Sequence, residues 1–167
     1  MKKKGSTTNK SGTGRKLIAQ NKRARHEYEI LEELECGIEL RGAEVKSLRL
    51  GRAQIQDAYA RIISGEIWLY QMNIARYEFA RGFGETDPLR PRKLLAHRDE
   101  IDELTGKLQQ KSLTLVPLAL YFKEGHAKVL LGLARGKKLY DKRRVLAERT
   151  LARESAREMA DARRSRR

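Results

Sequence analysis

Several stretches of the chain hold residue types at spacings that could do chemistry. Gly132-Leu133-Ala134-Arg135-Gly136-Lys137-Lys138 has the outline of a phosphate-cradling loop. It has one residue too few between its glycines, and Lys138 stands where a magnesium-binding Ser or Thr belongs. Asp99, Glu100, Asp102 and Glu103 could be drawn as a cation cluster. Asp99 and Glu103, at i,i+4, are more simply the wet face of an amphipathic helix. His26, His97 and His126 fall in separate segments without Cys partners at zinc spacing. Neither a serine nor Cys36 sits in a nucleophile motif. The reading is of a chain that is not an enzyme and takes no metal or cofactor.

Charge is the stronger signal. From Arg135 onward the chain carries 13 Lys and Arg against 5 Asp and Glu, a net of +8. Residues 1–25 carry 9 Lys and Arg and no acid, a net of +9. The total is +15 at a pI near 10.2, so the body, 26–134, is close to neutral at −2. Cationic ends on a neutral body imply a polyanion partner, with the ends meeting phosphates and the body reading shape. In the last quarter, Gly136-Lys137-Lys138 and Asp141-Lys142-Arg143 form the densest basic block. Beyond it, Arg149, Arg153 and Arg157 repeat every four residues and would line one face of a helix. Pairs such as Arg144/Glu148 favour that helix, whereas the arginine row repels itself and Leu146, Leu151 and Met159 make no continuous stripe. The expectation is a tail that is coil in the free chain and helical once phosphates neutralise its arginines.

The elements that must position these residues are short. Residues 1–16 offer almost nothing to bury, so order is expected near Asn21. Tyr28, Ile30, Leu34 and Ile38 among glutamates read as a long bent strand over about 27–40, with Gly37 as a bulge or kink. Gly42 and Gly51 bracket a short helix on which Val45 and Leu48 share a face. Ser64-Gly65 turns a hairpin between Ala58–Ile62 and Ile67–Tyr70. A strand at Asn73–Tyr77 leads into an irregular loop with Gly82, Gly84, Pro88 and Pro91. Helical spacing resumes at Lys93 through Leu108, broken near Gly106. Leu113–Phe122 and Ala127–Leu133 form a second hairpin, with Pro117 confining its first strand to an edge or bulge. The fold class is mainly β with short helices: a small antiparallel barrel with about three helices packed on it. The division is a disordered basic arm, 1–20, a barrel domain, 21–134, and a basic tail, 135–167. The lone Cys36 fits a reducing compartment and a buried position. No apolar run reaches the ~20 residues that span a bilayer, so the expectation is a cytoplasmic protein that does not use a membrane.

Five blocks, in order, resemble the small protein B family. They are Asn21-Lys22-Arg23-Ala24-Arg25-His26-Glu27-Tyr28; Glu35-Cys36-Gly37-Ile38; Gly42-Ala43-Glu44-Val45-Lys46-Ser47-Leu48-Arg49; Asp87-Pro88-Leu89-Arg90-Pro91-Arg92-Lys93-Leu94-Leu95; and Gly136-Lys137-Lys138 with Asp141-Lys142-Arg143. The resemblance implies an oligonucleotide-binding-type (OB-like) barrel that grips the tRNA-like domain of transfer-messenger RNA in trans-translation. Carried over by motif, it puts Asn21, Lys22, Arg23, Tyr28, Glu35, Arg49, Arg92, Lys93, Leu94 and Leu95 at the RNA. It sends the tail into the vacant decoding site and messenger channel of a stalled ribosome, through Gly136, Lys137, Lys138, Asp141, Lys142 and Arg143. Arg149, Arg153 and Arg157 would come after them, with His26 beside decoding-site RNA. It further implies a monomer and indirect partnership with elongation factor Tu and the alanyl-charged RNA. The sequence departs from the family pattern at Ala96, where a third leucine is common, and at Glu158, where a bulkier apolar residue is.

Glu35 has the wrong sign for phosphate but can accept hydrogen bonds from base amino or ribose hydroxyl groups. Tyr28 suits either base stacking or a half-buried barrel position. Two rivals of other classes are a structural ribosomal protein with basic arms and an RNA-processing enzyme.

Overall fold

The computed structural model describes residues 14–80, 86–110, 112–137 and 139–164, the side chains at 139–142, 145 and 161–164 excepted. Expectations for residues 1–13, Gly82, Gly84 and Lys138 fall outside the described residues.

Nine strands and four helices make up this part of the chain. They run β1 (Arg15–Gln20), α1 (Lys22–Glu27), β2 (Tyr28–Ile38), α2 (Gly42–Arg49), β3 (Ala53–Gln54), β4 (Tyr59–Ile63) and β5 (Glu66–Tyr70). Then come β6 (Asn73–Ile74), β7 (Arg92–Leu95), α3 (Arg98–Leu108), β8 (Leu113–Lys123), β9 (His126–Gly136) and α4 (Leu139–Arg164). Every pairing is antiparallel, and the ladder β8–β4–β5–β7–β2–β9 returns to β8. Six strands therefore close on themselves, which removes the open edges a flat sheet would leave. β3 and β6 pair separately.

The closed ladder is filled by the apolar set that alternation selects. Cys36, Ile67, Leu69, Leu94, Leu115, Leu120, Val129, Leu131 and Leu133 are buried, with Leu48 of α2 and Ile101 and Leu104 of α3 closing the core. Both hairpins turn on residues with positive φ, Ser64-Gly65 at 52° and 73° and Glu124-Gly125 at 51° and 79°. These are the twist-matched turns that suit two-residue loops.

Bulges decide which residues face out. β2 slips register between Ile30 and Glu32 against β9. A one-residue slip exchanges faces. Tyr28 and Ile30 therefore point outward to a small cluster with Ala24, Val116, Leu118 and Ala134. After the slip Cys36 and Ile38 point inward while Glu33, Glu35 and Gly37 take the outer face. A second slip, between Pro117 and Ala119, gives Pro117 its bulge inside a strand paired on both sides.

Four expectations need correction. Residues 15–20 are not part of a disordered arm: β1 pairs with Ala119–Lys123 of β8. The reason is that β4 covers β8 only at Leu115, leaving the rest of that edge open for β1. The kink in β2 is at Leu31, not Gly37; Gly37 is regular, and a Cβ there would lie 3.3 Å from the Leu95 Cβ. The helical spacing over 93–108 divides, because Lys93, Leu94 and Leu95 alternate and join ladders with β5 and β2. Only Arg98–Leu108 is helix, with Gly106 inside it. Asn21 starts α1, a turn of helix that the sequence pattern did not signal.

Candidate nucleic-acid interface

Asn21 is the pivot of one end of the barrel. It is 3% exposed, and its Oδ1 accepts from the Ala24 N–H at 3.0 Å, capping α1. Its Nδ2 donates to the carbonyls of Ile55 and Pro117, and its own N–H donates to the Leu118 carbonyl at 2.8 Å. All its polar capacity is used internally, so it is a structural residue rather than an RNA-facing one. What it presents is α1, on which Lys22 and Arg23 are exposed and His26 half-buried. Arg23 pairs with Glu27 at 2.8 Å, which raises its pKa. Tyr28 lies against Ala24 and Val116 and also walls an open groove with Arg23, Tyr59 and Arg61, so it packs and faces outward at once.

The root of the tail sits at the same end. Gly136 is opposite Tyr28 in the ladder, the Lys137 N–H donates to the Glu27 carbonyl at 3.0 Å, and Lys137 Nζ reaches the Arg25 carbonyl at 3.2 Å. The structure thus brings Lys137 beside the helix that carries His26. The division after residue 134 is corrected accordingly, since β9 and its ladder continue to Gly136.

Glu35 occupies the outer face farther along β2. Its Oε1 accepts from Lys123 Nζ at 2.8 Å and its Oε2 from the Tyr121 hydroxyl, with Arg15 at 3.2 Å from the same oxygen. The Arg15 guanidinium lies 5.0 Å from the Tyr121 ring centroid. The Lys123 hydrogen bond, then that of Tyr121, holds the Glu35 carboxyl below its ordinary range against the opposing effect of burial. Burial and the Glu35 bond push the Tyr121 phenol up to about 12. Two residues along β2, Gly37 leaves room for Leu95, which is exposed on the same face. Lys93 is half-buried and ion-paired with Glu66.

Arg92 and Leu94 do not face out. Leu94 is core, pointing inward between Ile38 and Ile67. Arg92 is fully buried, its Nε 2.9 Å from Glu44 Oε1 and its remaining donors on the carbonyls of Met72, Pro88 and Arg90. Glu44 also accepts from Arg90 at 2.6 and 2.9 Å and from the Arg41 N–H at 2.8 Å. An extended chain puts alternate residues on opposite faces, and Arg92 shares a face with Leu94. Arg49, at the end of α2, is exposed.

The tail is α4, 26 residues long, and every described side chain in it is exposed, Arg143, Arg149, Arg153 and Arg157 included. Asp141 and Lys142 lie in its first turn, their side chains outside the description. Leu139–Arg164 is helix, the conformation the arginine row needs to share one face. Its composition of Ala, Leu, Arg and Glu, with Arg144 hydrogen-bonded to Glu148 at 3.2 Å, outweighs the repulsion along the arginine row.

A family model described as SmpB protein matches residues 18–161. The chain belongs to that family. Among its relatives, the SsrA-binding protein of Carboxydothermus hydrogenoformans is 57% identical over 139 residues, covering 83% of this chain and 93% of that one. The SsrA-binding protein of Frankia casuarinae is 55% identical over 147 residues, covering 88% and 92%. A solved chain described as "tmRNA-SmpB: a journey to the center of the bacterial ribosome" superimposes with a TM-score of 0.61 at 55% identity, covering 72% of this chain and 85% of that one.

Within this family framework, the expected barrel-surface residues form two groups, Lys22, Arg23, His26, Tyr28 and Lys137 at the α1 end and Glu35, Lys93 and Leu95 on the outer face, with Arg49 at the end of α2. Sequence reasoning passed over Arg15, Tyr121 and Lys123, although strand parity puts Tyr121 and Lys123 on one face. No group of His, Cys, Asp and Glu able to hold a metal occurs among the described residues. His97 caps α3 and Cys36 is buried, its thiol pushed up to about 12 chiefly by that burial. No described helix is long and apolar enough to cross a membrane.

Proposed function

We propose that this protein binds the tRNA-like domain of transfer-messenger RNA with its barrel and enables trans-translation on stalled ribosomes. The α4 tail takes the vacant decoding site and messenger channel. The observation that carries this reading is the family match through barrel and tail alike, with relatives named for binding SsrA and a solved relative described with tmRNA and the ribosome. The barrel residues are Lys22, Arg23, Tyr28, Glu35, Arg49, Lys93 and Leu95; Asn21, Arg92 and Leu94 support them from within. His26, Gly136, Lys137, Lys138, Asp141, Lys142 and Arg143 act at the ribosome, together with the row Arg149, Arg153 and Arg157. A net charge of +15 supplies the attraction, and the exposed cations along α4 support a tail that meets the phosphates of a messenger channel. The protein acts as a cytoplasmic monomer and a binding factor rather than a catalyst, working alongside elongation factor Tu and the alanyl-charged RNA.

Sequencing the RNA that co-purifies with the tagged protein tests this. Transfer-messenger RNA should dominate after ribosomes are removed. Ribosomal RNA in constant stoichiometry, without enrichment of transfer-messenger RNA, would instead make the chain a structural ribosomal protein.

A further inference from the structure

Glu35 is an odd residue for an RNA-facing surface, because its charge repels phosphate. Its neighbours resolve the difficulty. Lys123 and Arg15 come from adjacent strands, β8 and β1, and directly oppose each other in the ladder. Both reach Glu35, at 2.8 and 3.2 Å, and both stay open to solvent, with side chains 38% and 44% exposed against 26% for Glu35. Tyr121, 3% exposed, stacks its ring under Arg15 and donates a hydrogen bond from its hydroxyl to the same carboxylate. Lys128 lies opposite Tyr121 across the β8–β9 ladder, and Glu33, the next outward acid of β2, is committed to Arg25 at 3.0 Å. A long, flexible cation loses rotamer freedom when it grips a phosphate; one already held by a carboxylate loses less.

We propose that Lys123 and Arg15 are the groups on this face that each grip an RNA phosphate, and that Glu35 and Tyr121 are positioning residues that hold the two cations in place. The inference rests on the RNA-binding reading above and names the atoms that act in it. It also fixes a sign. If Glu35 merely dilutes the positive charge, Glu35→Gln strengthens RNA binding. If it positions Lys123 and Arg15, the same change weakens binding although net charge rises.

The test uses the full chain and transfer-messenger RNA transcribed in vitro, with affinities measured by fluorescence anisotropy over a salt series. Lys123→Gln and Arg15→Gln are each expected to weaken binding roughly tenfold, the loss of one charge-assisted bond. Each should also flatten the dependence of log K on log salt by about 0.7–0.9, the share of one phosphate. Lys123→Arg should retain the slope. Glu35→Gln should weaken binding in the wild-type background and have a smaller further effect, through Arg15 alone, beside Lys123→Gln; Tyr121→Phe should lose less in the same direction. Wild-type or tighter binding by Glu35→Gln overturns the proposal, as does equal loss with and without Lys123→Gln. Should Glu35→Gln misfold, unchanged slopes for the exposed Lys123→Gln and Arg15→Gln still overturn it. A wild-type protein that does not prefer transfer-messenger RNA to ordinary tRNA refutes the reading of function. A wild-type protein that does, with all these variants equal to it, refutes only the positioning.

Discussion

Glu44 is the single side chain whose loss should do most damage away from any surface. It is 1% exposed and takes hydrogen bonds from Arg90, Arg92 and the Arg41 N–H, and Arg92 beneath it is 0% exposed. Glu44→Ala leaves a fully buried guanidinium without its counter-charge, which costs about 3–5 kcal/mol. That is a large part of the roughly 5–15 kcal/mol by which a domain is stable. At about 2–4 °C per kcal/mol it corresponds to a melting temperature lower by roughly 6–20 °C. Removing both partners, as Glu44→Leu with Arg92→Met, should recover most of the loss, since Arg90 is 21% exposed and can turn to water. The pH dependence has a definite sign. Burial would raise the Glu44 pKa, but the bonds from Arg90, Arg41 and Arg92 outweigh it and the net shift is downward. A carboxyl lowered on folding contributes stability above its unfolded pKa, about 4.3, and loses it as pH falls through the folded value. Urea denaturation should therefore show the gap between wild type and variant narrowing in acid. A loss below about 1 kcal/mol at neutral pH, or a gap that widens in acid, refutes the reasoning.

Three further outcomes are expected. A chain ended after Lys137 keeps β9 whole and the Lys137 bond to Glu27, so it should melt like the full protein and bind transfer-messenger RNA while failing to tag stalled ribosomes; loss of RNA binding by the folded truncation counts against the division. Ala152→Pro removes one helix bond and adds a clash in α4, about 3 kcal/mol of helix stability. Far-UV ellipticity should fall while the body's denaturation midpoint, read from Trp68 fluorescence, stays put. Gly65→Ala and Gly125→Ala both force a side chain to positive φ, at 73° and 79°, but only at Gly65 does the new Cβ meet Arg98, 2.7 Å from Nη1. Denaturant titration should show the Gly65 variant losing more than the roughly 1 kcal/mol expected of either turn; equal losses would show that Arg98 gives way freely.

The hairpins and the α2 helix were legible because local chemistry fixes them: Ser64-Gly65, Glu124-Gly125, and the glycines around Gly42–Arg49. The site was legible only in part, because facing depends on register. Arg92 and Lys93 look equivalent as adjacent cations, yet one is fully buried on Glu44 and the other half-buried beside Glu66. Nothing local separates them; the ladder of β7 with β5 and β2 does. Asn21 stands among Lys22 and Arg23 and shares their polarity, but its role comes from carbonyls 34 and 96 residues away. The cluster around Glu35 was hidden for the same reason, since Arg15, Tyr121 and Lys123 meet it only through β1–β8 pairing and barrel closure.

In the tail, local preference acts unopposed. α4 is about 39 Å long at 1.5 Å per residue, and no described side chain along it is buried, so tertiary packing does not decide its conformation. Intrinsic propensity and length decide it instead: 26 residues exceed the ~12–15 below which an isolated helix is marginal. Each like pair in the row Arg149, Arg153 and Arg157 subtracts only about 0.2–0.5 kcal/mol, too little to reverse a preference summed over seven turns. The helix sets how the tail meets a polyanion. Its arginines, four residues apart, stand on one face of it and present a single row of charge to phosphates. Attraction to phosphates favours the same helix that local propensity favours, and Glu158 and Met159 both lie exposed on it.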